Sequence, residues 1–261
     1  MYWRCFLGVL KREMLKFWQQ RSRLLSALVR PLLWLFVFAA GFRSALGLSM
    51  IEPYESYILY EEYIVPGLAA MIILFNSMQS SLSMVYDREM GSMKVLLMSP
   101  FPREFLLCSK LIGNTLISAI QVYIFLLFAL LVDVELSFLG YVYAFPVIFL
   151  LALFLGSIGL LLANNIKQLE NFAGVMNFVI FPMFFLSSAL YPLWKMREAS
   201  EVLYWICQFN PFTSGVELLR YSFYEKFDAQ YLVVVVCVTV ICFIAAVRSF
   251  EPKGNKIKKV S

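Results

Sequence analysis

Six apolar stretches, at residues 24–42, 63–86, 111–132, 139–163, 172–190 and 231–247, dominate this sequence. Each is close to the roughly 20 residues that an α-helix needs to cross the hydrocarbon of a bilayer. Of the 261 residues, 61% are hydrophobic and only 15% charged. A soluble domain carries about a quarter charged residues, so this surface is built to face lipid. Within hydrocarbon a helix satisfies its own backbone hydrogen bonds. The expected fold is therefore an all-α integral membrane protein with six transmembrane helices.

The connecting segments orient these helices. Most of the 22 Lys and Arg fall before the first stretch, between the second and third, and after the sixth. The positive-inside rule makes those segments cytoplasmic. Both termini are then expected in the cytoplasm, as an even number of spans requires. The basic, aromatic start has no small-residue cleavage site, so it is expected to remain on the mature protein.

Two segments are amphipathic rather than spanning. Between residues 3 and 18, Trp3, Phe6, Leu7, Leu10, Met14, Phe17 and Trp18 recur at spacings of three and four. Arg4, Lys11, Arg12, Lys16 and Gln19 fall on the opposite face. This predicts an N-terminal interfacial helix, an anchor that is also able to dock a cytoplasmic partner. The second segment, 191–227, mixes aromatic and charged side chains and is too long for a structureless loop. It predicts external helices at headgroup depth, re-entrant into the outer leaflet, with a turn at Asn210–Pro211. The chain thus reads as one transmembrane domain over 1–261: the interfacial helix at 1–23, spans one to five over 24–190, the external helical segment at 191–228, and span six with a basic tail at 229–261.

The chemistry missing from the spans narrows the function. There is no histidine. No Asp, Glu, Lys or Arg lies in the core of spans two to six, whereas intramembrane ionisable groups normally mark proton relays and ion-coupling sites. A membrane hydrolase would need a nucleophile with a base, or metal ligands. The serines at 77, 80, 81, 157, 187 and 188 have no usual base in a nearby span and read as helix-packing residues. The five cysteines show no metal-ligand spacing; Cys237 and Cys242 read as small packing or lipid-facing residues. Asn76, Gln79, Gln121 and Asn177 are amides at membrane depth, suited either to interhelical bonding or to lining a substrate path. No GxxxxGK[ST] loop is present to cradle a nucleotide. Any active transport must be powered by another chain.

The loop between spans two and three reads VYDREMGSMKVLLMSPFPREFLLCSKLIG. Gly91 permits a backbone turn after span two; Pro100 and Pro102 stop the following short helix. Met90, Met93, Leu96, Leu97 and Met98 offer an apolar face to a groove, with Asp87, Arg88, Glu89 and Lys94 at its rim. This loop resembles the hallmark of ABC type-2 exporter permeases: an acidic-basic-acidic opening, a Gly followed by a small hydroxyl residue (Ser92), an apolar helix ending in Ser-Pro, and a returning basic residue and Gly (Lys110, Gly113). The resemblance covers essentially the whole chain, with Asn210, Pro211 and Arg220 carrying the family's external Asn-Pro and Arg pattern. It is closest to the small six-span permeases of drug and lipo-oligosaccharide exporters.

The resemblance implies a transport subunit rather than an enzyme. It implies a short cytoplasmic coupling helix that contacts an ABC ATPase subunit through Asp87, Arg88, Glu89, Met90, Gly91, Ser92, Met93, Lys94, Leu97 and Pro100, with Lys11, Arg12 and Lys16 on the interfacial helix. It implies a homodimer with two ATPase copies in a cell membrane, the inner membrane if bacterial, and an amphiphilic or lipid-linked substrate moved outward. ATP and Mg would be held by the partner, with no cofactor or nucleic acid bound by this chain. Asn76, Gln79, Asn177, Phe181, Phe184 and Phe185 are the candidates for the translocation path. Two other readings stay open on sequence alone. One is a membrane scaffold whose ATPase partner does mechanical work; the other is a lipid-modifying enzyme using Glu52, Glu55, Glu61 and Glu62.

Overall fold

The computed structural model describes residues 2–19, 21–42, 60–91, 100–131, 134, 137–166 and 168–249. Among these there are ten helices and no strand. They are α1 (Tyr2–Gln19), α2 (Arg21–Phe42), α3 (Tyr60–Glu89), α4 (Arg103–Leu130), α5 (Phe138–Asn165), α6 (Leu169–Phe185), α7 (Leu193–Ala199), α8 (Glu201–Phe209), α9 (Pro211–Phe223) and α10 (Ala229–Ser249). Four stretches are long and apolar enough to cross a membrane: Glu62–Glu89, Arg103–Leu130, Phe138–Asn165 and Ala229–Ser249. Two shorter apolar helices, Ala27–Val37 and Leu169–Phe185, fall where the sequence predicts the first and fifth spans.

The centre of the bundle is α3. Every residue from 63 to 74 is buried, because α2, α4, α5, α6 and α9 all pack against it. Gly67 lets the 186–190 turn approach as well, since a Cβ there would run into the Ala189 carbonyl. The α5 helix lies between α3 and α10. Outward, α10 presents Val233, Val236, Val240, Ile241 and Ile244, the apolar face expected against lipid. Cys237 is exposed on this helix and Cys242 half-buried.

Amides tie α3 to α4. Asn76 donates to Asn114 Oδ1 at 3.2 Å and to Ser118 Oγ at 2.7 Å. Asn114 in turn donates to Ser77 Oγ at 3.4 Å. Polar contacts of this kind replace the hydrophobic drive that is absent between helices in lipid.

Three boundaries differ from the sequence reading. The α6 helix ends at Phe185 rather than at 190. Pro182 sits in its last turn, and Ser187 closes the end by donating to Phe184 O while accepting from Ala189 N. The 191–227 segment, expected to turn at Asn210–Pro211, holds three helices rather than the two that a single turn would make. Ser200 is extended at φ −165 and breaks the first into α7 and α8. The α2 helix begins at Arg21 and runs unbroken through Pro31.

Candidate functional site

The α3 end nearest α1 is bracketed by charge. Asp87, in the last turn of α3, is only 8% exposed. Arg12 and Lys16 of α1 reach it at 3.0 Å, and Lys110 of α4 stands at 3.8 Å. Spacing i, i+4 puts both α1 cations on one face, so one carboxylate collects three helices. Beside it, Arg88 donates to Asn164 Oδ1 at 3.1 Å, and Asn164 donates to Ala246 O at 2.7 Å. That relay joins α3 to α5 and α10. The start of α1 is pinned separately: Tyr2 meets the rings of Phe101 and Phe105, each at 5.2 Å.

Past this bracket the chain turns outward. Glu89, Met90 and Pro100 are exposed, as is Lys11 on α1. Gly91 adopts φ +76 with nothing within 4 Å of a Cβ built on it. Glycine is needed there for backbone conformation, not for space. Ser92, Met93, Lys94 and Leu97 lie outside the described residues, so the predicted short helix is not placed.

At mid-bundle the path candidates separate. Gln79 of α3 and Asn177 of α6 line one cleft, together with Arg30 and Pro31 of α2, Met71 and Phe75. Asn76 instead belongs to the buried α3–α4 network. Phe184 is buried, whereas Phe181 and Phe185 are exposed and stack at 6.1 Å. Trp34 of α2 touches Phe184 and Phe185 at 6.2 and 5.9 Å, so an aromatic seam joins α2 and α6. Arg30, legible in the sequence only as an interruption of the first apolar stretch, joins this cleft. Its guanidinium carbon lies 4.1 Å from the Phe75 ring centre. A cation inside an otherwise apolar window was the signal available.

At the opposite end, the residues of the Asn-Pro and Arg pattern act as fasteners. Asn210 caps α9 by accepting from Phe212 N at 3.0 Å, while Pro211 takes a first-turn position where no N–H is needed. The same Asn210 side chain donates to Met183 O and Leu186 O, at 2.9 and 2.6 Å, ending α6. Arg220 is 1% exposed. It pairs with Glu217, donates to Ser188 O at 3.0 Å, and stands 4.0 Å over the Tyr63 ring. Tyr63 also donates to Ser188 O at 3.0 Å, and Tyr60 to Leu190 O at 2.8 Å. These bonds lash α9 and α3 to the 186–190 turn. Nearby, burial pushes the Cys207 thiol up from its ordinary range.

Among the described residues no group of His, Cys, Asp and Glu could hold a metal ion. Against known proteins, residues 4–224 match the family described as ABC-2 type transporter. The chain is 28% identical over 218 residues to a Cyanophora paradoxa protein that carries the name transport permease ycf38, covering 82% of this chain and 72% of the other. The Porphyra purpurea protein of the same name is 24% identical over 237 residues, covering 83% and 72%.

Proposed function

The chain belongs to the ABC-2 type transporter family, and from that premise we propose that it is the permease subunit of an ATP-driven exporter. As a member of that family it is a multi-pass membrane protein that works with an ABC ATPase partner. Our reading goes further. The chain crosses the membrane six times, with α2 and α6 as the first and fifth spans and both termini in the cytoplasm. It works as a homodimer with two ATPase copies, which hold the ATP and Mg. The bracketed end, including α1, faces the ATPase, and α7–α9 lie outside. An amphiphilic substrate moves outward along the α2, α3 and α6 side, past Gln79, Asn177, Phe181 and Phe185.

The observation that carries this reading is the Asp87 bracket. A loop that only linked two spans would need no such fastening. Here the root of the exposed 89–91 turn is ion-paired to α1 and α4, and through Arg88 and Asn164 it is tied to α5 and α10. A push on the turn is therefore shared by the bundle instead of being absorbed by a flexible link. Power arrives mechanically, which suits spans that hold no ion-coupling carboxylate.

The test is ATP hydrolysis by the reconstituted complex of this chain with its ABC ATPase partner, with and without amphiphiles. Gly91→Val forces a side chain into positive φ, at a cost of about 1–2 kcal/mol, in open space where the bundle itself is undisturbed. We expect the variant to insert normally and lose substrate-stimulated hydrolysis. Unchanged stimulation refutes the coupling role. Uphill solute movement by this chain alone, driven by an ion gradient, refutes the whole reading.

A further inference from the structure

Arg30 sits deeper than its place in the sequence suggests. Phe75, whose ring it covers, is at the middle of the 28-residue apolar stretch Glu62–Glu89. At 1.5 Å rise per residue, Phe75 is roughly 20 Å from either end of that stretch, and Arg30, itself exposed and nine residues into α2, covers its ring from the neighbouring helix. An arginine side chain stays charged in proteins, so a counter-charge or strong acceptors are required at that depth. Among the described residues its one close charged or aromatic neighbour is the Phe75 ring. No carboxylate there reaches it within ion-pair distance.

The surroundings are selective in kind. Gln79 and Asn177 bring amide groups, able to donate as well as accept, to the wall that Arg30 shares. Met71, Met176 and Phe75 supply apolar surface beside them. The cleft has a volume of ≈ 100 Å³, room for one small charged group but not for a hydrocarbon tail. A tail would lie along the outer surface of α6, where Phe181 and Phe185 are exposed.

We propose that this cleft recognises the anionic headgroup, phosphate or carboxylate, of an amphiphile, with Arg30 as the charge-selecting residue. The inference rests on the exporter reading and names the substrate class for it. The planar guanidinium offers two parallel N–H donors to a phosphate or carboxylate, a geometry that an ammonium lacks. The ligand completes a charge pair that the described residues leave half made. A cationic or purely neutral amphiphile would leave Arg30 uncompensated.

The test uses the full chain in nanodiscs of zwitterionic lipid, without an ATPase. Radiolabelled dodecyl phosphate is bound and then competed with laurate, inorganic phosphate, dodecyltrimethylammonium and dodecyl maltoside. Laurate should compete, while the cationic and neutral detergents should not. Competition by inorganic phosphate equal to that by laurate would mean that a free ion, not an amphiphile, is the ligand, and would overturn the proposal. Arg30→Gln should weaken dodecyl phosphate binding about 10-fold or more, the size of one lost charge-assisted hydrogen bond. Arg30→Lys should lose less, since it keeps the charge. Equal binding of anionic and cationic amphiphiles by the native chain overturns the proposal even if no variant folds. So does loss of a dimer in Arg30→Gln with selectivity intact, which would assign the charge to a second copy. If ATPase coupling is confirmed and anion selectivity is absent, only this inference falls. If selectivity holds but no ATPase couples, only the exporter reading falls.

Discussion

Replacing Arg220 by methionine tests what holds the α9 end to the bundle. Methionine keeps much of the volume and removes the charge. Three contacts disappear together: the ion pair to Glu217, the donation to Ser188 O, and the cation over Tyr63. The side chains of Arg220 and Glu217 are 2% and 10% exposed, so water screens them little. Removing one member of a buried pair costs about 3–5 kcal/mol, mostly because the other charge is stranded. At roughly 2–4 °C per kcal/mol for a chain of this size, the apparent Tm in detergent should fall by about 10 °C. The paired change Arg220→Met with Glu217→Leu should recover much of that loss, since an apolar pair of similar volume is often neutral. An additive double variant, or a single variant within about 1 °C of the native chain, would refute the view that stranded Glu217 dominates the cost.

Other perturbations follow from the same contacts. Asp87→Asn removes the acceptor that gathers Arg12, Lys16 and Lys110. Hydrogen exchange along α1 should rise while α3 and α5 keep their protection, and unchanged α1 exchange would count against the bracket. Gln121 is fully buried, and neither its amide nitrogen nor its oxygen has a partner among the described residues. Gln121→Leu should therefore raise stability by about 1–2 kcal/mol, the desolvation penalty of an unmade bond, read as a higher apparent Tm. Because burial raises the Cys207 thiol, its reactive thiolate is scarce at neutral pH and grows only on the alkaline side. A water-soluble maleimide at pH 7 should leave Cys207 unlabelled until the protein is denatured.

The helices expected as spans two to four and six were legible because apolar length is a direct demand of the bilayer, and Glu62–Glu89 and Phe138–Asn165 are long and apolar enough to cross one. The ends were less legible. That α6 stops at Phe185 rests in part on local residues, Pro182 and Ser187, and in part on Asn210, some two dozen residues onward. The α7–α8 break turns on the extended backbone of Ser200, which makes no side-chain cap. Residue types at the loop root were read correctly as charged, but their pairing was not. Asp87 looks like a rim residue in sequence, and only the fold brings α1 back across to bury it. The amides show the same limit. Composition placed Asn76, Gln79 and Asn177 at one depth, while helix rotation sends Asn76 into the α3–α4 seam and the other two into the cleft. Arg30 was visible as an interruption of the first apolar stretch, but its place over the Phe75 ring was not, because that is set by the register of α2 on α3.

Asn210 carries a consequence for how the protein is made. Chains are synthesised from the N-terminus, and the amide that receives the final carbonyls of α6 is added only after α7 and α8. Until then the fifth apolar segment has a frayed last turn, whose peptide oxygens must be met by water or by the insertion machinery. The segment between them is thus a clasp that snaps shut late. A stop codon or a long insertion before residue 210 would leave α6 unfinished even though every residue of that helix had been made.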